Sequence, residues 1–189
     1  DPECEGVPSP QYITCTNDDS AFRWNHQTDR NAYRLGGNSG TTVCADINND
    51  GWMDLLTTEI KHWDVGSSSD SSELLYNDQD ASIVFTRPGN ETTGLTRTHT
   101  DIPWDDGDIT ASVLDFDNDG LTDIYIGSTD YPGTRGLLYH QSPAGVFSLV
   151  PDEDGFVHAR SHGVAIADFD NDGDIDMVIG HSSGRCDDD

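Results

Sequence analysis

Short apolar runs recur in pairs along this chain, and a polar segment separates the two runs of each pair. The pairs are residues 42–45 with 55–58, 111–114 with 124–127, and 164–167 with 177–180. Runs of this length that are rich in β-branched residues and bounded by Asp, Asn and Gly are typical of strands. The pattern therefore predicts three β-hairpins, each with a polar loop at its turn.

A second hairpin is predicted after each of the first two. Its strands are residues 72–76 and 82–86 in the first case, and 136–140 and 146–150 in the second. Both copies contain the triplet Leu-Leu-Tyr, and both place a phenylalanine after the turn. The polar loops begin at Asp46, Asp115 and Asp168, so the repeat is 69 and then 53 residues long. Four antiparallel strands at such a period are typical of β-propeller blades.

The repeat divides the chain into four segments. These are residues 1–35, a strand-like N-terminal segment; 36–97, a first blade; 98–158, a second blade; and 159–189, the first half of a third. Residues 66–72 and 90–94 lengthen the first unit and are expected to be exposed loops. The predicted fold is all-β, with propeller-type blades of four antiparallel strands. The propeller is incomplete, or the N-terminal strands at 11–15, 21–24 and 32–35 complete a blade, within one chain or between chains.

The polar loop of each first hairpin is a nine-residue repeat with Asp or Asn at positions 1, 3, 5 and 9. Oxygen atoms at these positions can converge on one hard cation if the backbone turns sharply, which the glycine at position 6 permits. The carbonyl of position 7 is a further ligand, so its side chain can vary. The predicted ligands are Asp46, Asn48, Asp50, Trp52 and Asp54 in the first loop, Asp115, Asp117, Asp119, Leu121 and Asp123 in the second, and Asp168, Asp170, Asp172, Asp174 and Asp176 in the third.

The spacing separates these loops from other calcium motifs. An EF-hand loop carries Glu at position 12 and lies between helices, whereas position 12 here is Thr57, Ile126 or Ile179 in a predicted strand. Thrombospondin type 3 repeats use a similar loop, but with little apolar sequence between the copies. An ordinary surface turn is the alternative for one copy, and three copies in register argue against it. The sequence predicts about three Ca²⁺ ions, one per loop, in a structural role.

The charge of the chain is strongly negative. It has 36 acidic and 9 basic residues, a formal net charge of −27, and eleven of the aspartates occupy loop positions 1, 3, 5 and 9. Three divalent ions, six positive charges in all, would bring −27 to −21. A surface of this sign repels nucleic acid and anionic membranes, and no apolar run approaches the roughly 20 residues that span a bilayer. We therefore expect no nucleic-acid partner and no membrane insertion.

The loop hairpin followed by Leu-Leu-Tyr, a short turn and phenylalanine resembles FG-GAP/VCBS repeats, over roughly residues 36–185. Such repeats form the head propellers of integrin alpha chains and occur in proteins similar to cartilage acidic protein. The resemblance implies calcium-loaded blades in a secreted or cell-surface protein, with no catalytic residue. The chain departs from this family in number, because family propellers have about seven blades and only two and a half are recognised here.

The expected function is that of a non-enzymatic extracellular module for adhesion, matrix or protein and glycan interaction. It would present the loops at 64–72, 86–94 and 128–135 to a partner at the cell surface or in the matrix. One alternative is a self-assembling subunit of an extracellular fibre or sheath, whose copies join head to tail by strand donation. Another is an accessory, lectin-like domain of a larger secreted enzyme. The sequence contains no nucleophile triad, phosphate loop or dinucleotide fingerprint.

Cysteine and histidine residues suggest two further features. Cys4, Cys15, Cys44 and Cys186 lack zinc-site spacing and are expected to form disulfides, with Cys4 to Cys15 as the local pair and Cys44 to Cys186 remaining. Two other connectivities, and bridges between chains, stay open. His158, His162 and His181 lie around the third unit and could approach one another as a transition-metal site, with surface histidines as the alternative.

Overall fold

The structure is a computed structural model that describes residues 38–60, 71–79, 84–97, 107–129, 134–151 and 161–181. Within these ranges the chain forms ten strands in three antiparallel sheets, and one short helix. The strands predicted for the N-terminal segment lie outside the described residues. The blade boundaries and the role of residues 1–35 stay predictions.

Two sheets have four strands and the third has two. The first contains β1 (Asn38–Ala45), β2 (Asp54–Ile60), β3 (Glu73–Asn77) and β4 (Phe85–Thr86); the second contains β5 (Asp108–Leu114), β6 (Asp123–Ser128), β7 (Leu137–Gln141) and β8 (Phe147–Leu149); and the third contains β9 (Ser161–Ala167) and β10 (Asp176–His181). In each sheet, every strand pairs with the next strand along the chain. The predicted all-β fold of four-stranded blades followed by a half blade is confirmed.

The three sheets stack face to face, and β6 shows both contacts at once. Successive side chains of a strand point to opposite faces of its sheet. Ile124 and Ile126 therefore join a buried cluster with Leu56 and Leu74 of the first sheet. Tyr125 joins a second buried cluster that faces the third sheet. The third-sheet members of that cluster are Val164, Ile166, Met177 and Ile179. The apolar core of this molecule thus lies between its sheets.

Glycine allows the second and third sheets to approach closely. A Cβ atom at Gly127 in β6 would lie 2.3 Å from the carbonyl oxygen of Ser161 in β9. The same close approach joins the first two sheets, where a Cβ at Gly40 would lie 2.5 Å from the carbonyl oxygen of Ile109. Any other residue at these two positions would push the sheets apart.

A buried ion pair also lies beside the junction of the first two sheets. Both terminal nitrogens of Arg97 donate to the carboxylate of Asp108, at 2.8 and 2.6 Å. The hydroxyl of Ser72, just before β3, donates to the same carboxylate. Asp108 is only 2 % exposed, so these donors offset the cost of burying its charge.

The register shows that the two Leu-Leu-Tyr triplets are not equivalent. In the first sheet Leu75 pairs with Leu55, the residue that follows the first loop. In the second sheet Tyr139 pairs with Ile124, the residue that follows the second loop. Leu75 and Tyr139 therefore occupy the same place. The prediction that the triplets are matching copies is therefore wrong, because the triplet in β7 is shifted by one residue relative to the triplet in β3. A shift of one residue in a strand places each side chain of the triplet on the opposite face of the sheet.

Tyr76 in β3 and His140 in β7 are therefore at equivalent positions. Tyr76 follows Leu75, and His140 follows Tyr139. The two phenylalanines are equivalent as predicted, because Phe85 pairs with the last residue of β3 and Phe147 with the last residue of β7. Both phenylalanines are buried.

Residues 90–94 are not simply an exposed loop. Asn90–Thr93 forms a one-turn helix, α1, and Thr93 is buried. Gly94 then adopts a left-handed conformation with φ of 78°, and a Cβ atom there would lie 2.1 Å from the carbonyl oxygen of Phe147 in β8. The segment packs against the second sheet, so the prediction of an exposed loop is correct only for Glu91 and Thr92.

Candidate metal centre

The first residue of each loop organises the turn through both of its carboxylate oxygens. In the second loop, Asp115 Oδ1 accepts the backbone N–H of Asp119 at 3.0 Å, and Oδ2 accepts that of Gly120 at 2.9 Å. Asp46 makes the same pair of bonds in the first loop at 2.9 and 2.9 Å, and Asp168 makes them in the third at 3.1 and 3.1 Å. Three loops of different sequence therefore share one hydrogen-bonded geometry.

The residue at position 5 receives a further bond in every loop. Its carboxylate accepts the backbone N–H of position 7, at 2.8 Å for Trp52, 2.8 Å for Leu121 and 3.0 Å for Asp174. Its own backbone N–H also donates to the side-chain oxygen of position 3, at 3.1 to 3.3 Å. These bonds hold the side chains of positions 1, 3 and 5 on the inside of the turn.

The aspartate at position 9 joins the loop to the sheet. Asp123 Oδ2 accepts the backbone N–H of Phe116 at 3.1 Å, and its Oδ1 accepts that of Gln141, at the end of β7, at 2.8 Å. Asp54 bonds in the same way to Ile47 and to Asn77 at the end of β3. Both aspartates are fully buried. Position 9 therefore fixes the loop against the third strand of its own blade.

Asp176 holds the same position in the third loop but has a different environment. Its Oδ2 accepts the backbone N–H of Phe169 at 2.9 Å. The third sheet has two strands among the described residues, and Asp176 is only half-buried.

Asparagine at position 4 makes a contribution that the sequence analysis missed. Asn49, Asn118 and Asn171 have φ of 57°, 59° and 62°, in the left-handed region that asparagine tolerates better than most residues. The glycines at position 6 also have positive φ, between 85° and 99°. Two left-handed residues, rather than glycine alone, fold each loop. The signal was present in the sequence, because asparagine occupies position 4 in all three copies.

The loops gather carboxylates into clusters that could hold a metal ion. Oxygen atoms of Asp115, Asp117 and Asp123 all lie within 4.8 Å of one another, and the equivalent atoms of Asp168, Asp170 and Asp176 do the same. These are positions 1, 3 and 9. The first loop has Asn48 at position 3, so an amide oxygen takes the place of one carboxylate there. The carbonyls of Trp52, Leu121 and Asp174 remain predicted ligands.

Burial makes the charge at position 9 costly without a cation. Burial raises the pKa of Asp54 and of Asp123 above the usual range of an aspartate, although backbone N–H donors partly oppose this rise. A raised pKa means that the folded chain disfavours the charged carboxylate. A bound cation would reverse that preference. The donor set consists of oxygen atoms on a preformed turn, so these residues fit a hard cation such as calcium.

Asp50 behaves differently because it is exposed at the tip of the first loop. What little burial it has raises its pKa, but the net shift is downward. The side chain of Gln79, the backbone N–H of Trp52 and the side chain of Asn48 all donate to this carboxylate. These donors stabilise its charged form.

Direct bonds connect the three loops. The hydroxyl of Thr122 donates to the carbonyl of Asp46 at 3.4 Å, which links the second loop to the first. The side-chain amide of Asn118 donates to Asp174 Oδ1 at 2.7 Å, which links the second loop to the third. The loops therefore form a continuous acidic surface, which we call the loop rim (residues 46–54, 115–123 and 168–176).

Two other sequence predictions can be compared with the structure. His162 and His181 are exposed on the third sheet, and no group of three metal-binding side chains includes them within the described ranges; His158 lies outside those ranges. A different histidine, His140, is the one that approaches a loop. Cys44 is exposed on β1 and forms no disulfide with another described residue. The other three cysteines lie outside the described residues, so the disulfides remain predictions.

Comparison with known families gives one match. Residues 115–179 match a family model described as an FG-GAP-like repeat. The match begins at the first ligand of the second loop and ends in β10, and so covers the last three strands of the second sheet, β9 and most of β10. No curated protein matches the chain. Among the described residues, no helix is both long and apolar enough to cross a membrane.

Proposed function

This chain carries an FG-GAP-like repeat in β-propeller-type blades, and on that basis we propose that it is a non-enzymatic, extracellular calcium-binding module. The observation that carries the proposal is the hydrogen-bonded geometry that the three loops share, with carboxylates of positions 1, 3 and 9 brought together in two of them. Calcium accepts six to eight oxygen ligands in flexible arrangements. Its role here is structural, because each loop closes a hairpin of the core.

The loop rim also suggests where a partner would bind. Large apolar side chains are exposed on it: Trp52 is 41 % exposed, Met53 57 % and Phe169 54 %. Exposed aromatic side chains are frequent anchors in binding sites because they offer a large contact area at low entropic cost. We propose that the partner is a protein or glycan of the cell surface or matrix. The net charge of −27 disfavours nucleic acid.

Calcium titration tests the proposal directly. Isothermal titration of the metal-free chain should give about three ions per chain, with affinities on the order of 10⁻⁴ to 10⁻³ M or tighter. Asp168→Ala should lose one ion, because it removes both the carboxylate of position 1 and the acceptor for two backbone N–H groups. The matched control is Asp174→Ala in the same loop, whose side chain is not a predicted ligand, and it should keep all three. Absence of calcium binding to the wild-type chain would refute the proposal.

The third sheet favours self-assembly as a second candidate function. The residue two places after position 9 faces the next sheet, and it is fully buried in the first two sheets as Leu56 and Tyr125. Its equivalent in the third sheet, Val178, is 56 % exposed. This exposed face matches the docking surface that a head-to-tail subunit would need.

Light scattering at increasing protein concentration tests this candidate. If copies associate through the third sheet, the average mass should rise with concentration, and Val178→Asp should abolish the rise. Val146→Asp is the control, because Val146 is exposed in the turn between β7 and β8, and it should associate like the wild type. A mass that stays monomeric at all concentrations would contradict self-assembly. The accessory role in a larger secreted enzyme stays a prediction.

A further inference from the structure

One histidine faces the second loop with a buried nitrogen that has no hydrogen-bond partner. His140 Nε2 lies 3.2 Å from Asp117 Oδ2 and 3.4 Å from Asp119 Oδ2. The nitrogen is buried and makes no hydrogen bond, although the side chain as a whole is 33 % exposed. The three ligand atoms lie within 4.8 Å of one another. Neither contact is a hydrogen bond, and a buried polar atom without a hydrogen bond is costly, so this arrangement calls for an explanation.

In the first loop, the equivalent carboxylate has hydrogen-bond donors and no histidine beside it. There the residue equivalent to His140 is Tyr76, and position 3 is Asn48 instead of an aspartate. The carboxylate of Asp50 accepts side-chain amides from Asn48 at 2.9 Å and from Gln79 at 2.8 Å. The second loop replaces these amide donors with an imidazole nitrogen and adds one more carboxylate. The two loops therefore differ in chemistry while sharing one backbone geometry.

Imidazole nitrogen changes the class of metal that can bind. Calcium and magnesium take oxygen ligands, whereas zinc and its neighbours accept histidine nitrogen together with carboxylate oxygen. Metal–ligand bonds of about 2.0–2.2 Å at tetrahedral angles place neighbouring ligand atoms roughly 3.3–3.6 Å apart. The 3.4 Å contact of His140 Nε2 falls in that interval, and the 3.2 Å contact lies about 0.1 Å below it. The ring is also oriented, because it packs edge-on against Phe116 with centroids 5.8 Å apart and an angle of 77° between the rings.

We propose that His140, Asp117 and Asp119 form a second cation position at the second loop, selective for a transition-metal ion of the zinc type. It lies beside the calcium position and shares both carboxylates with it, since Asp117 and Asp119 are predicted calcium ligands of the same loop and Asp117 also belongs to the oxygen cluster with Asp115 and Asp123. The proposal deepens the proposed function and rests on it in one respect: calcium is taken to occupy the oxygen ligands of the loops. The first loop has no such position among its described residues.

A protonated His140 that forms ion pairs with both aspartates is the competing explanation. It would satisfy the nitrogen by charge attraction, without a metal, and it predicts that zinc binding does not depend on this residue. The histidine must be neutral to bind zinc, because only then does Nε2 carry a lone pair. A zinc-binding measurement therefore distinguishes the two explanations.

Zinc titration at saturating calcium tests the proposal. Excess calcium fills the oxygen sites of the loops, and the wild-type chain should then bind one Zn²⁺. The variant His140→Tyr, which introduces the residue found in the first sheet, should bind that ion at least about tenfold more weakly. His140→Gln serves as a second variant if the tyrosine disturbs β7. His162→Tyr, at an exposed histidine of β9, is the control and should bind zinc like the wild type. Cobalt substitution should give visible absorption bands that both His140 variants lose.

The outcomes are separable from those of the calcium proposal. Equal zinc affinity in the wild type and both His140 variants, with normal calcium binding, would overturn the second cation position alone. Absence of calcium binding to the wild-type chain would overturn the proposed function. Calcium titration of each variant also reports whether its loops remain folded, so a misfolded variant is recognised as such.

Discussion

Removal of calcium should lower the melting temperature of this chain by roughly 15–30 °C. A ligand present at about one hundred times its Kd stabilises the folded state by about 2.7 kcal/mol per site. Three independent loops would then contribute about 8 kcal/mol, which is comparable to the whole stability of many domains. For a chain of this size, each 1 kcal/mol shifts the melting temperature by about 2–4 °C.

The physical reason is repulsion between carboxylates that the loops hold together. In the second and third loops, three carboxylates have oxygen atoms within 4.8 Å of one another. Each pair of charges at such a distance repels by about 1–4 kcal/mol, depending on the local dielectric. Without a cation the loops should open, and each opening loop loosens the two strands that it joins. Because these strands line the clusters between the sheets, the effect should extend to the core.

Circular dichroism melts before and after exhaustive chelation measure this effect. Calcium added back in excess of the chelator should restore the original melting temperature. Magnesium should restore it poorly, because that ion demands near-octahedral geometry and keeps several of its waters. A melting temperature that does not change on chelation would refute the structural role of calcium.

Replacement of Asp123 by alanine should cost more stability than the same change at any exposed loop position. Asp123 is fully buried, and its two oxygens accept N–H groups from Phe116 and Gln141 at 3.1 and 2.8 Å. Each buried donor left without an acceptor costs about 1–3 kcal/mol. The removal of a charge that burial disfavours offsets part of this loss. We expect a net loss of about 2–4 kcal/mol from these bonds, and the loss of the ion in the second loop adds to it.

Asp176→Ala is the matched control, because Asp176 holds position 9 in the third loop but is only half-buried. Both variants should lose one calcium ion, so the difference between them reports the bond from position 9 to the third strand of a blade. In saturating calcium, Asp123→Ala should melt at least about 5–10 °C below Asp176→Ala. Equal melting temperatures would show that position 9 acts through the metal alone.

The strands and loops of this molecule were predictable because their signals are local. Apolar runs separated by a nine-residue loop rich in Asp, Asn and Gly define a hairpin, and the repetition of that hairpin indicates blades. The one-residue shift of Leu-Leu-Tyr was not predictable in this way. The letters match in both copies, and only the pairing of Leu75 with Leu55 and of Tyr139 with Ile124 shows the difference. Register depends on the neighbouring strand, which the triplet itself does not specify.

The sequence by itself determined the chemistry of the loops, because each loop gathers its candidate ligands from nine consecutive residues and needs no distant partner to form its turn. Tertiary structure alone decided three other features. It placed His140 beside Asp117, buried Asp123 under the end of β7, and exposed Val178 where Leu56 and Tyr125 are covered. All three depend on which strand or sheet lies next to a residue. Such contacts join residues far apart in the chain, so they follow from the packing of whole sheets and not from any local pattern.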